Sequence, residues 1–212
     1  MNEKIKKLPT YTIEEEKANA LIHAFGAVFA LATLIIFIFK NAHYSFLLYA
    51  IFNFVMYFTS ALYHSRPFGS VERYIVRKID HCDIFACIAF TYFPICMTGI
   101  PELGFANFLM VLEFALAAIG VLLNAFWIES KVVKVLSSVI YLLIGWAVVL
   151  VLPLGISLRM DTLIMLLLGG IIYTIGAVLY FIGSKKKWFH TVFHVFIFLA
   201  SILQFFGILL LL

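Results

Sequence analysis

Seven long apolar stretches, separated by short polar breaks, run along the chain. They cover residues 20–39, 44–63, 81–100, 105–128, 132–152, 162–182 and 189–212. A transmembrane helix needs about 20 mostly apolar residues, and backbone groups in lipid must be satisfied within the segment, which favours helices over strands. The pattern therefore predicts an all-α membrane protein with a seven-transmembrane helix bundle over residues 20–212, preceded by a polar tail over residues 1–19.

The composition excludes a water-soluble globular domain. Hydrophobic residues make up 65% of the chain and charged residues 12%, against about 45–50% and about 25% in soluble domains. The polar N-terminal stretch lacks the apolar core of a cleavable signal peptide. We therefore expect a multi-pass protein of the cell membrane.

The basic residues predict the orientation of the bundle. Thirteen of the fifteen Lys and Arg residues lie on the side that holds the N-terminus, and only Lys40 and Arg159 lie on the other. The positive-inside rule then places the N-terminus in the cytoplasm and the C-terminus outside. Because topology explains the net charge of +4, we expect membrane lipid, and no nucleic acid, as a partner.

Two local features complete the outline. Thr12 and Glu15 have the spacing of a capping box, which predicts a short interfacial helix leading into the first span. The three cysteines all fall in one apolar segment, where they cannot readily pair, so we expect free thiols. They are Cys82, Cys87 and Cys96.

Ionisable residues are the informative ones, because placing one in a bilayer costs at least about 2.5–3.5 kcal/mol. On the predicted topology, five of the six histidines lie at the cytoplasmic ends of spans, and only His43 lies on the outer side. Polar residues at one depth on several helices must face each other rather than lipid. Those at the cytoplasmic end are Glu16, Asn19, His23, Ser60, His64, Asp80, His81, Asp83, His190 and His194.

Helical spacing sharpens this pattern. His190 and His194 are four residues apart and share a helix face, as two ligands of one metal ion do. Ser60 and His64 have the same spacing. Glu16, Asn19 and His23 follow one stripe at i, i+3 and i+7.

These residues suggest an open zinc site, in which three imidazoles and a water surround the ion as in catalytic zinc centres. We assign His64, His190 and His194 as ligands. Asp80 is the candidate to hold or deprotonate the water, and Ser60 to hydrogen-bond the water or a substrate oxygen.

Simpler interpretations stay open for several of these residues. The histidines could make interhelical hydrogen bonds without a metal, and His81 could be either a partner of the site or an interfacial side chain. His43 is interpreted as interfacial. Glu113, in the middle of the fourth span, needs a partner such as Asn124 or Tyr141.

At these motifs the sequence resembles the bacterial hemolysin III family, which is related to the progestin and adipoQ receptors and more distantly to the alkaline ceramidases. The likeness runs along nearly the whole chain. It rests on Glu16-x-x-Asn19-x-x-x-His23, on Ser-Ala-Leu-Tyr-His at 60–64, on Ile-Asp-His at 79–81 and on His-Thr-Val-Phe-His at 190–194. The segments at 141–146 and 169–176 are also similar.

The resemblance implies a seven-helix bundle with its N-terminus inside and a zinc ion near the cytoplasmic face. The implied ligands are His64, His190 and His194, with Asp80 close to the metal through water. The sequence departs from the family at Asp83, where relatives usually have Gly, and at Gln204, where many have His. An extra carboxylate one turn from Asp80 could contact the metal or raise the pKa of its neighbour.

Three functions are compatible with these features. The leading hypothesis is a zinc-dependent hydrolase of a lipid amide or ester. The second is a receptor-like sensor of the membrane's state in which zinc is structural. The third, suggested by the family name, is a pore-forming cytolysin. The sequence leaves the substrate and the oligomeric state open.

Overall fold

A computed structural model describes residues 11–154, 158–183 and 186–212 of the chain. The regular structure in these ranges is entirely helical, with seven α-helices. They are α1 (Ile13–Phe39), α2 (Tyr44–Ser65), α3 (Val71–Pro94), α4 (Leu103–Trp127), α5 (Lys131–Gly145), α6 (Met160–Gly183) and α7 (Phe189–Leu209).

Six of the described helices are long and apolar enough to cross a membrane: α1, α2, α3 with its continuation, α4, α6 and α7. Their outward faces carry large apolar side chains such as Phe25, Val111 and Phe126, each at least 60% exposed. Such a surface suits hydrocarbon rather than water. The chain is therefore a multi-pass membrane protein.

The predicted span over 132–152 is broken into two helical segments. α5 ends at Gly145 after 15 residues, and a 3₁₀ segment, Ala147–Leu154, follows it. The Tyr92 hydroxyl bridges the break, donating to the Gly145 carbonyl at 3.0 Å and accepting from the Val148 N–H at 2.8 Å. A broken helix is tolerated at membrane depth when another helix satisfies its backbone in this way.

Helices that follow one another in the chain mostly pack side by side. α1 packs against α2, α2 against α3, α3 against α4 and α4 against α5, while α6 packs against α7. α7 also packs against α1, which brings the beginning of the last helix to the beginning of the first. Trp146, after α5, donates its indole N–H to Thr174 on α6 at 2.9 Å.

The beginning of α1 has the expected capping box. The Thr12 hydroxyl accepts from the Glu15 N–H at 3.2 Å, and the Glu15 carboxylate accepts from the Thr12 N–H at 2.8 Å. From Ile13 the helix runs without interruption into the first apolar stretch. Of the predicted tail over 1–19, residues 1–10 lie outside the described residues.

α3 is irregular at its proline. The α-helix ends at Pro94 and continues as a π-helical segment, Ile95–Gly99, because proline cannot supply the next backbone hydrogen bond. The three cysteines on this element are free, as predicted.

The expected partners of Glu113 were wrong. Asn124 donates to the Gly120 carbonyl and to Ser137, and Tyr141 donates to the His81 carbonyl. Glu113 is fully buried, and neither of its carboxyl oxygens has a hydrogen-bond partner among the described residues. The residues suggested as partners satisfy helix backbones and a neighbouring hydroxyl instead.

The contact between α3 and α4 depends on one glycine. A Cβ added at Gly120 would overlap the ring of the fully buried Phe85, whereas one at Gly104, on the same helix, would meet nothing within 4 Å. We expect Gly120→Ala to lower the free energy of unfolding by about 1–3 kcal/mol, because the ring has nowhere to move. Equilibrium unfolding in mixed micelles measures this change.

Gly104→Ala is the matched control, and its expected effect is neutral or a gain of about 0.5–1 kcal/mol from lower backbone entropy in the unfolded chain. Equal losses in the two variants would contradict the close packing of α3 on α4.

Candidate metal centre

Polar residues from four helices meet at one end of the bundle. Glu16 and His23 lie in the first turns of α1, His64 lies in the last turn of α2, and His190 and His194 lie at the beginning of α7. α3 begins at the same end and contributes Asp80. These are the ends that the chain order and the antiparallel packing of neighbouring helices bring together.

The three predicted ligand residues converge through their Nε2 atoms. Nε2 of His194 lies 3.1 Å from Nε2 of His64 and 2.9 Å from Nε2 of His190. Zinc–nitrogen bonds of about 2.0–2.1 Å in tetrahedral geometry separate ligand nitrogens by about 3.3 Å. The spacing therefore fits three ligands of one ion, and these histidines could hold a metal.

The outer nitrogens of two rings are already occupied. Nδ1 of His64 lies 2.7 Å from the Glu16 carboxylate, which can only accept, so that nitrogen carries the proton. Nδ1 of His194 lies 2.6 Å from Nε2 of His23. When Nε2 of His23 accepts the proton of His194 Nδ1, as the carboxylate does for His64, the Nε2 lone pairs of both rings point at the same place.

Two lone pairs that face each other at 3.1 Å repel unless a cation lies between them. Metal-binding histidines almost always donate their other ring N–H to a carboxylate or another acceptor. Glu16 and His23 supply such acceptors. The donor set and its surroundings thus fit a divalent metal better than a chain of hydrogen bonds.

Arg73 holds the Glu16 carboxylate in place. Its guanidinium forms an ion pair with Glu16 and donates to the carbonyls of Tyr63 and Arg66 at the end of α2, at 3.2 and 2.9 Å. The Arg73 side chain is completely buried. The Arg73 guanidinium therefore orients a carboxylate on α1 and satisfies the last carbonyls of α2, beside His64.

The contact of Arg73 with Glu16 was not predicted from the sequence, because Arg73 was counted only toward the orientation of the bundle. A signal was present: Arg73, Arg77 and Asp80 follow one helix face at i, i+4 and i+7, and all three are buried. A basic residue that shares a helix face with a predicted site residue is a sign that it belongs to the same site.

Asp80 and Ser60 lie beside the histidines. Asp80 is 8% exposed, its Oδ2 lies 3.3 Å from Nδ1 of His81, and it contacts the Ser60 side chain. Its carboxylate lies within electrostatic range of the His23 and His190 rings. The structure thus brings Asp80, Ser60 and His81 together, next to the three histidines but outside the group that could hold the ion.

Asp83 points elsewhere. Its carboxylate accepts a hydrogen bond from the Thr59 hydroxyl at 2.7 Å, and it is absent from the group of residues that could share a metal. His43 lies at the opposite end of α2, where its Nδ1 accepts from the Ser45 N–H.

Asn19 faces the same region with unused polar atoms. It is completely buried, and neither its amide nitrogen nor its amide oxygen has a partner among the described residues. Nδ1 of His23 and Nδ1 of His190 are likewise unpaired there. Buried polar atoms without protein partners mark places where a water or an ion is held.

An aromatic side chain that the sequence analysis did not single out covers His190. Tyr11 lies just before α1, and its ring stacks on the His190 ring with centroids 4.5 Å apart and planes 10° from parallel. Burial raises the pKa of the Tyr11 phenol well above its ordinary value, so the hydroxyl stays neutral. No spacing rule links Tyr11 to His190, which lies 179 residues further along the chain.

Fold and site together define a class: a helical, multi-pass membrane protein with a buried three-histidine candidate metal centre at one end of its bundle. A model of the family described as "Haemolysin-III related" matches residues 11–205. The chain belongs to the haemolysin III family.

Two relatives illustrate the likeness. The chain is 32% identical to the "Hemolysin-3 homolog" of Bacillus subtilis (strain 168), over 94% of this chain and 95% of that protein. It is 31% identical to "Hemolysin-3" of Bacillus cereus, over 99% of this chain and 96% of that protein.

The Glu16–Arg73 pair makes a direct test of the centre's framework. Glu16→Ala leaves the Arg73 charge buried without its partner, so we expect the free energy of unfolding to fall by about 3–5 kcal/mol. Glu14→Ala, two residues away on the exposed face of α1, should change it by less than about 0.5 kcal/mol. Unfolding of the two purified variants in the same micelles gives the comparison, and similar losses would contradict the pairing.

Proposed function

We propose that this protein is a seven-span, zinc-dependent membrane hydrolase that cleaves an amide or ester bond of a lipid. The observation that carries the proposal is the convergence of three imidazole Nε2 atoms, two of them with their outer nitrogens held by Glu16 and His23. Three neutral histidines are the ligand set of open, catalytic zinc sites rather than of closed, structural ones. Bound there, Zn²⁺ would polarise a carbonyl and make a water more acidic.

The neighbouring polar residues supply the remaining chemistry. Asp80 is placed to accept a proton from a water in the site, because its carboxylate lies next to the histidines and is oriented by His81. Ser60, one turn before His64, contacts Asp80 and can donate a hydrogen bond to a substrate oxygen. A general base and a hydroxyl donor beside a metal are the parts that hydrolysis needs.

A cleft between α1 and the end of α2 supports lateral entry of a lipid. It has a volume of about 570 Å³, and Glu16 and His64 lie against it. Ala20, Leu21, Ala24 and Phe68 line its apolar part. An acyl chain in this cleft would keep its tail against apolar side chains while its polar head approaches His64.

The proposed topology has seven membrane crossings. α5 and the following 3₁₀ segment contain 15 and 8 residues, which at about 1.5 and 2.0 Å per residue exceed the roughly 30 Å of hydrocarbon. They would form the seventh crossing, counted with the six other helices. The charge bias then places the N-terminus and the metal centre at the cytoplasmic face.

Metal analysis with a lipid hydrolysis assay tests the proposal. Purified wild-type protein should contain zinc in proportion to protein and release fatty acid from ceramide-like or acyl-lipid substrates, whereas His194→Ala should lose both. His43→Ala removes a histidine at the opposite end of α2 and should keep both. Absence of zinc from the wild-type protein, or equal hydrolysis by wild type and His194→Ala, would contradict it.

Two further measurements, the melting temperature with and without metal and dye leakage from liposomes, distinguish the two alternative functions. The centre ties α1, α2 and α7 together, so zinc that only raises the melting temperature, without any hydrolysis, would indicate a sensor with structural zinc. Leakage of dye from liposomes containing the protein would indicate the pore-forming activity that the relatives' names suggest.

Asp80 provides a separate test of the chemistry. Asp80→Asn keeps the size of the side chain but removes the base, so we expect zinc content to stay and kcat to fall by about 10²–10⁴-fold. Asp83→Asn changes the same group one turn away, where it contacts Thr59, and should leave kcat close to the wild-type value. A comparable fall in both variants would show that Asp80 has no special role.

A further inference from the structure

The three histidines of the centre are not held equally. His64 is fixed by Glu16 and His194 by His23, each through a hydrogen bond to Nδ1. Nδ1 of His190 has no such partner among the described residues. Its ring is instead stacked on the ring of Tyr11, 4.5 Å away and nearly parallel.

We propose that Tyr11, just before α1, is the positioning residue for His190 and is thereby part of the metal centre. A stacked ring prevents an imidazole from turning about its side-chain bonds, which is the task that a hydrogen bond to Nδ1 performs for the other two ligands. This inference rests on the metal site of the proposed function, although not on its hydrolytic activity.

A second contact ties the first turn of α1, close to Tyr11, to the residue before α7. The two Glu15 carboxylate oxygens have different partners: one accepts from the Thr12 N–H at 2.8 Å, and the other from the Trp188 N–H at 2.5 Å. Trp188 has a φ of 68°, a left-handed conformation that non-glycine residues rarely adopt. Glu15 thus joins the capping box of α1 to the turn immediately before His190.

Together these contacts fix the position of His190 from two sides. Glu15 holds the backbone at Trp188, two residues before the histidine, and Tyr11 holds the imidazole plane. Tyr180 lies on another side of the ring, with centroids 5.6 Å apart. The stacking surface is what Tyr11 supplies, so a phenyl ring in its place would serve equally well.

The experiment measures Zn²⁺ affinity of the full-length protein in detergent, by competition with a chromogenic chelator. Tyr11→Leu removes the stacking ring and should weaken Zn²⁺ binding about 10-fold or more, as loss of a ligand's supporting partner does. Tyr11→Phe keeps the ring and should bind as the wild type does. Visible absorption of the Co²⁺-loaded protein should change in Tyr11→Leu and stay unchanged in Tyr11→Phe.

Tyr44→Leu is the matched control, because Tyr44 also lies against a histidine, His43, with ring centroids 4.1 Å apart at the far end of α2. It should leave Zn²⁺ affinity unchanged. Equal affinity in wild type and Tyr11→Leu would overturn the inference, as would a loss in Tyr11→Phe as large as in Tyr11→Leu. An equal fall in the melting temperature of Tyr11→Leu with and without metal would also overturn it, by assigning Tyr11 a purely structural role. A wild-type protein that binds no Zn²⁺ would instead remove the proposed function itself.

Discussion

Imidazole lone pairs that point at one another are the constraint around which this end of the bundle is organised. Lipid offers no partner to a buried polar atom, so the polar atoms of α1, α2, α3 and α7 must satisfy one another. Glu16 holds His64, Arg73 holds Glu16, and His23 holds His194. Each of these contacts occupies a ring Nδ1 atom, or the carboxylate that binds one, and leaves the Nε2 atoms facing one another. What remains at the centre is a group of three imidazole nitrogens, close enough together to bind one divalent cation.

The sequence predicted the features that follow from solvent and helical period. Long apolar runs predicted helices in the right places, and the shared depth of His64, His190 and His194 predicted that they meet. Features set by single tertiary contacts escaped it. The break after Gly145 depends on the Tyr92 hydroxyl, the role of Arg73 on the position of Glu16, and the stacking of Tyr11 on a packing between chain ends that no local pattern encodes.

Glu113 shows how little the free-energy cost of burying a carboxyl group predicts by itself. That expense correctly implies that a carboxyl in mid-membrane needs compensation, but it does not identify the partner. Asn124 and Tyr141 were reasonable candidates from their predicted position in the membrane. In the structure both donate to backbone carbonyls instead, and Asn124 also donates to Ser137. The predicted convergence of His64, His190 and His194 was confirmed, because spacing within α7 and the shared depth of several helices restricted the choices much further.

The depth of the centre agrees with the proposed substrate. His190 and His194 are the second and sixth residues of α7, and His64 is the residue before the last of α2. At about 1.5 Å per residue, the ligands lie within roughly 10 Å of the helix ends. The amide and ester carbonyls of membrane lipids lie at a similar level, between headgroups and hydrocarbon. A lipid in the cleft beside His64 could therefore present its carbonyl to the centre without leaving the bilayer. A water-soluble substrate would gain no binding energy from the apolar side chains that line the cleft.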